Sequence, residues 1–136
     1  MSDNCLFCKI TTGDIPAVKV YETEDIIAFM DIMPARLGHT LIIPKQHSDS
    51  LLDASPEAIA AVARASVSIA NAVKKAVQAD GIRVMQFNGA AAGQTVFHYH
   101  MHIIPVVEGD GFIPHGREQA KVEDLQEIAE KIKAFL

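Results

Sequence analysis

The run Val96-Phe97-His98-Tyr99-His100-Met101-His102-Ile103-Ile104-Pro105 constrains this chain more than any other stretch. Its residues are β-branched, aromatic or aliphatic between the histidines, and proline closes it, so it predicts a strand. On a strand, alternate side chains share a face. His98, His100 and His102 therefore form a row, while Phe97, Tyr99, Met101 and Ile103 turn the other way into apolar packing. The row holds three of the six histidines in the sequence. Lining up groups that titrate near neutrality costs desolvation and mutual repulsion, so the row predicts a working face and not a core face.

The rest of the composition narrows the function classes. A chain of 136 residues is expected to form one domain spanning 1–136, long enough to bury about two-thirds of its unfolded surface. Hydrophobic residues make up 49 % of it, yet no uncharged apolar stretch reaches the length of a membrane span. Met1-Ser2-Asp3-Asn4 lacks the features of a signal peptide, so a cytoplasmic protein without a membrane partner is expected. The net charge of −5 and the absence of a basic stripe argue against nucleic acid as a partner. A small anionic ligand is compatible with that charge, because local donors can hold a phosphate.

Along the chain, Cys5 to Thr12 predicts a short helix ended at Gly13. Val18–Glu22, Ile26–Asp31 and His39–Ile43 are β-type runs separated by turn residues. Ser55-Pro56-Glu57 opens the clearest helix, with an N-cap serine, proline in the first turn and an acid beside it. Its stripe of Ile59, Val62, Ala63, Ser66, Ala70, Val73 and Val77 faces the core, and Asp80-Gly81 is expected to end it. Ile82–Phe87 is a strand, which a short loop, Asn88 to Gly93, would join to the histidine strand as a hairpin. Val122–Phe135 is a terminal helix, with a Gly/Pro-rich stretch before it that carries His115 and Arg117. Strands in runs rather than strict βαβ alternation predict an α+β domain built on an antiparallel sheet.

Several residues carry chemistry. Three imidazoles could bind one zinc ion, but His98 and His102 lie about 13 Å apart on an ideal strand, which suits division of labour along an extended ligand better. Gly89 and Gly93 let backbone N–H groups turn toward an anion, or simply make a turn, and Gln94 and Thr95 add side-chain donors beside them. A phosphate there would lie near His100 and His102, and imidazole is a competent nucleophile toward phosphorus at neutral pH. Asp31 is either an acceptor for two vicinal hydroxyls or a turn residue ahead of Pro34. The only cysteines form Cys5-Leu6-Phe7-Cys8, which reads as a metal half-site, a redox pair or two buried thiols.

His98-Tyr99-His100-Met101-His102-Ile103-Ile104 resembles the signature of the histidine triad (HIT) family, in which three histidines alternate with hydrophobic residues. Phe29-Met30-Asp31-Ile32, Gly38 to His47, and Phe87-Asn88-Gly89 to Thr95 resemble its other conserved stretches, and the likeness covers nearly the whole chain. The resemblance implies a HIT-like fold, with about five antiparallel strands, one long central helix and a C-terminal helix. It implies a purine nucleotide hydrolase that cleaves the P–N or P–O bond at the α-phosphate of nucleoside 5′-phosphoramidates or related AMP conjugates. A dinucleoside polyphosphate hydrolase, or a nucleotide-binding regulator with little turnover, is the alternative. His100 would be the nucleophile, His102 would bond the phosphate, and His39 would orient or share protons with the row. Asn88, Gly93, Gln94 and Thr95 would hold phosphate or leaving group, and Asp31 the ribose. Leu6, Phe7, Ile10, Phe29 and Ile32 would line the base pocket. Resemblance to zinc-containing members implies a structural Zn2+ held by Cys5, Cys8, His47 and His98. It also implies a homodimer whose subunits join their sheets. Histidine at the third triad position disfavours the branch that transfers nucleotides to sugar phosphates, where glutamine stands. The closest resemblance is to the nucleoside phosphoramidase branch, although the tail lacks the tryptophan that many of those proteins carry.

Overall fold

Two strands are apolar along their whole length, and the sheet is built around them. β2 (Ile26–Met30) and β3 (Thr40–Pro44) bury every residue, so both faces of the sheet must be covered there. They pair antiparallel with Ile26 opposite Pro44 and Met30 opposite Thr40. β1 (Lys19–Glu22) flanks β2, with a register shift between Lys19 and Tyr21. β5 (Met101–Val106) flanks β3, and β4 (Gly81–Met85) pairs with β5 as the far edge. The order is β1-β2-β3-β5-β4, all antiparallel, which with three helices is the α+β architecture expected of the sequence. The computed structural model describes residues 4–113, 116 and 118–136.

Alternation along the central strands divides the interior in two. Ile26, Ala28, Met30, Ile42 and Ile103 pack under α2 (Pro56–Ala76) and α3 (Val122–Lys133) with Val62, Ile69, Val73, Leu125 and Ile132. Ile27, Phe29, Leu41 and Ile43 face the opposite way, onto Phe7, Cys8 and Ile10 of α1 (Leu6–Thr12). Each fully buried Ile or Val contributes about 1.5–3 kcal/mol.

α2 begins where its caps predict: the Ser55 hydroxyl accepts from Ala58 N–H at 3.1 Å, and Pro56 fills the first turn. Its buried residues are Val62, Ile69, Ala72 and Val73, whereas Ala63 is exposed, contrary to the expected stripe. An alanine-rich helix offers little contrast between faces, so the large residues alone fix its rotation. The helix also ends earlier than Gly81. Gln78 takes a positive φ of 53°, Ala79 N–H reaches back to Lys74 O at 3.0 Å, and Gly81 opens β4 instead.

The histidine strand is shorter than expected. β5 starts only at Met101, so His102 is on it while His98, at the end of a bend, and His100 precede it. The ladder with β3 stops at Ile42 opposite Met101, and Tyr99 N–H bonds Ser48 O at 3.0 Å instead. The predicted alternation survives without the ladder. Tyr99 and Ile103 are buried under α2, and Met101 packs against that core, while the three histidines face α1. Phe97 is the exception, 47 % exposed rather than packed inward. β4 and β5 are antiparallel neighbours as expected, but residues 86–100 join them through a long excursion with one 3-10 turn at Ala90–Ala92, not a tight hairpin. Among the described residues, no helix is long and apolar enough to cross a membrane. His115 and Arg117 lie outside the described residues.

Candidate active site and metal centre

Two clusters of titratable side chains sit on the α1 side of the sheet, and they share the histidine row. The first gathers Cys5, Cys8, His47 and His98. Cys5 caps α1, its sulfur accepting from Cys8 N–H at 3.3 Å. His47 follows β3, and the bend ahead of β5 delivers His98. Sγ of Cys5 lies 3.4 Å from His98 Nδ1, Sγ of Cys8 lies 3.3 Å from His47 Nδ1 and 3.5 Å from His98 Nδ1, and the two Nδ1 atoms are 3.2 Å apart. Zinc bonds of about 2.3 Å to sulfur and about 2.0–2.1 Å to nitrogen give tetrahedron edges of about 3.6 Å (S–N) and about 3.3 Å (N–N). The four distances are close to those edges, and all four donors lie within 4.8 Å of one another, a set that a zinc ion fits.

The outer ring atoms fit as well. His98 Nε2–H donates to Pro44 O at 2.7 Å and His47 Nε2 bonds Asp49 Oδ1 at 3.0 Å, so both rings turn Nδ1 inward as metal ligands do. Burial pushes the His98 pKa down to about 4, with the His47 and His100 charges adding to the shift against a raising bond to Pro44. The ring is therefore neutral at pH 7, the state that binds a metal.

The second cluster is a chain, not a cage. Ala35 N–H donates to His39 Nδ1 at 3.0 Å, so the His39 ring carries its hydrogen on Nε2 when neutral. That nitrogen lies 2.9 Å from His102 Nδ1 and 3.5 Å from Asp31 Oδ2. His102 Nδ1 accepts, which leaves the His102 hydrogen on Nε2. Asp31 Oδ1 accepts from Met33 N–H at 2.8 Å, so the residue makes the expected turn and still directs its other oxygen at His39.

His100 lies between the clusters. Its Nδ1 donates to the backbone carbonyl of His98 at 2.7 Å. A carbonyl can only accept, so the hydrogen is on Nδ1 and the in-plane lone pair is on Nε2. Its ring lies 4.8 Å from that of His102 and meets Phe7 edge-on at 5.1 Å. His100 is 7 % exposed, against 0 % for His98.

Of the expected base-pocket residues, Phe7, Ile10 and Phe29 are buried together, while Leu6 and Ile32 are exposed. Gly89 and Gly93 both take the positive φ that the loop reading required. Gln94 is 4 % exposed and its amide is engaged throughout: Oε1 accepts from Gly89 N–H at 2.7 Å, and Nε2 donates to Val96 O at 3.0 Å and to Asp49 O. Asn88 exchanges two side-chain hydrogen bonds with Gln86 and accepts from Leu51 N–H at 2.8 Å. Thr95 is exposed and borders a hollow with Cys5, Leu6, His47 and Asp49. Sequence reasoning passed over Asp49, which orients His47, and Phe87, whose ring lies 5.6 Å from that of His102. A lone Asp in a polar loop carries no mark that separates it from solvated surface.

The HIT domain model matches residues 12–109, and the chain belongs to the HIT family. A HIT-like protein of Bartonella henselae, described as involved in cell-cycle regulation and crystallised with an unknown ligand, superimposes with a TM-score of 0.91 at 53 % identity. That likeness covers 100 % of this chain and 99 % of the other. A zinc-bound histidine triad protein of Mycobacterium smegmatis superimposes with a TM-score of 0.85 at 37 % identity, over 97 % and 92 % of the two chains. The adenylylsulfatase HINT3 of Arabidopsis thaliana is 42 % identical over 110 residues, 81 % of this chain and 56 % of that protein. Hydrolases are thus among its relatives, and a zinc-bound relative fits the cluster at Cys5.

Proposed function

We propose that this chain hydrolyses nucleoside 5′-phosphoramidates or related AMP conjugates at the α-phosphate, through a nucleotide held covalently on His100. The observation that carries this reading is the His100 Nδ1–H bond to His98 O, because it assigns the lone pair to Nε2 without any added base. Nε2 attacks phosphorus, the Nε2–P bond forms, and the P–N bond breaks as the amine leaves, taking a proton from solvent water that the later hydrolysis returns. Water then attacks phosphorus, Nε2 departs, and the nucleoside monophosphate is released. His102 Nε2–H donates to a phosphate oxygen as charge builds there, and His39 holds His102 in that tautomer. The Gly89, Ala92 and Gly93 N–H groups are bonded within the loop, so those of Ala90 and Ala91 receive the other oxygens, Asn88 and Thr95 border them, and Asp31 accepts from the ribose. Phe7, Ile10, Phe29, Leu6 and Ile32 take the purine.

Cys5, Cys8, His47 and His98 would hold Zn2+, which supplies a cross-link between the N-terminal segment and the sheet. A homodimer is part of the same reading. Among the described residues β4 pairs on one side only, and it carries Val84 at 54 % exposure, an edge through which two sheets can join. Light scattering on the purified protein reads that mass directly.

The function is tested by incubating adenosine 5′-phosphoramidate and diadenosine tetraphosphate separately with wild type and with His100→Ala. Phosphoramidate turnover lost in the variant supports the reading. Cleavage of the tetraphosphate alone would replace it with a polyphosphate hydrolase, and tight AMP binding without turnover of either would replace it with a binding protein.

A further inference from the structure

The metal ligands and the catalytic residues are joined by three short connections, two of which end on the His100 ring and the third on the anion loop. His98 gives Nδ1 to the cluster and, through its own carbonyl, takes the Nδ1–H of His100 at 2.7 Å. Phe7 stands between the two cysteines in α1 and meets the His100 ring at 90°. His47 bonds the Asp49 carboxylate. The Asp49 carbonyl accepts from Gln94 Nε2, and Gln94 Oε1 accepts from Gly89 N–H at the mouth of the anion loop. Asp49 is further fixed by its own N–H, which donates to Asp53 Oδ2 at 3.0 Å.

We propose that the metal cluster positions the nucleophile and the anion loop, with Asp49 as the positioning residue that carries the second effect. This rests on the function proposed above. The cluster then does more than anchor the N-terminus. A filled tetrahedron fixes the plane of the His98 ring and hence the aim of its carbonyl, and it fixes His47, which sets the Asp49 turn from which Gln94 braces the loop. Two backbone carbonyls, of His98 and Asp49, transmit what four side-chain donors decide. Asp49 is well placed for a test because its side chain is 68 % exposed and its loss leaves the core intact.

The experiment compares wild type, Asp49→Ala, Asp49→Asn and Cys5→Ser, each with and without one equivalent of Zn2+. Three readouts apply: the His100 Nδ1–H resonance in a histidine-labelled sample, AMP affinity by titration calorimetry, and kcat against KM. Removing zinc from wild type well below its melting temperature is expected to broaden or shift the His100 resonance and to lower kcat about 10–100-fold, the usual effect of disturbing the shell around a metal ligand. Asp49→Ala is expected to keep its fold, bind zinc about tenfold more weakly and bind AMP severalfold more weakly. Asp49→Asn, which retains the acceptor oxygen, should restore both. An unchanged resonance and unchanged AMP affinity in metal-free wild type would overturn the proposal. So would wild-type zinc and AMP affinities in Asp49→Ala. If Cys5→Ser does not fold, the Asp49 variants still decide the matter. A protein that turns over neither substrate but shows the resonance and affinity changes would refute the proposed function and leave the coupling standing.

Discussion

His98 and His100 are the same residue two positions apart, on the same side of the chain, and the structure gives them opposite tautomers. Each donates one ring N–H to a backbone carbonyl at 2.7 Å, but through different nitrogens. His98 uses Nε2 toward Pro44 O and so presents Nδ1 to two thiols and a second imidazole. His100 uses Nδ1 toward His98 O and so keeps its lone pair on Nε2. The difference teaches that a histidine's role here is assigned by the carbonyl it meets, because a carbonyl can only accept and thereby dictates where the lone pair goes.

The comparison breaks most severely at the proposed nucleophile. His100→Ala is expected to lower phosphoramidate turnover by about three orders of magnitude or more while AMP affinity stays within about tenfold, read by steady-state kinetics and calorimetry. Residual turnover within tenfold of wild type would return His100 to the status of its neighbour. At the other end, Cys5→Ser with Cys8→Ser should abolish stoichiometric zinc by elemental analysis and destabilise the fold by at least about 3 kcal/mol in denaturant. A protein with unchanged stability would show the tetrahedron to be idle. His39→Gln sharpens the middle of the row. It removes the ring that holds the tautomer of His102 and should cost about 10–100-fold in kcat with little change in KM.

The smallest effect is a control outside both clusters. Arg36 holds the Asp110 carboxyl down to about 2 by a two-pronged contact at 2.7 Å, helped by Val107 N–H. A depressed folded pKa means that this contribution is complete above the ordinary value of 3.8 and fades as pH falls toward 2. Melting curves of Asp110→Asn should therefore run slightly below wild type near pH 7 and converge with it near pH 2. The nucleotide and zinc affinities of that variant should match wild type.

Much of this was legible from the residues. The alternation at 98–102 separated the working side of the chain from the packed side, and Tyr99 and Ile103 pack as that period requires. The N-cap at Ser55 placed the start of α2 because capping depends on a few adjacent residues. The end of α2 was not legible. Gln78 adopts a left-handed turn that its type does not announce, and Gly81, the expected stop, was needed by β4. β5 also begins later than its β-rich composition suggested: the ladder stops at Ile42 opposite Met101 although β3 runs on to Pro44, and Tyr99 N–H bonds Ser48 O instead. Asp49 and the inward ties of Gln94 were invisible, since each meets its partners only across the fold.

By itself the sequence determined which side chains could do chemistry: the spacing of three histidines, the CxxC pair and the glycines at 89 and 93 are local facts, fixed by backbone period and residue type. Only the tertiary structure decided what each would do. Cys5 and His98 are ninety-three positions apart and His39 and His102 sixty-three, so their meeting depends on how strands pair and where the chain turns. The division of labour within the row depends on carbonyls of Pro44 and His98, groups that every residue carries and no sequence distinguishes.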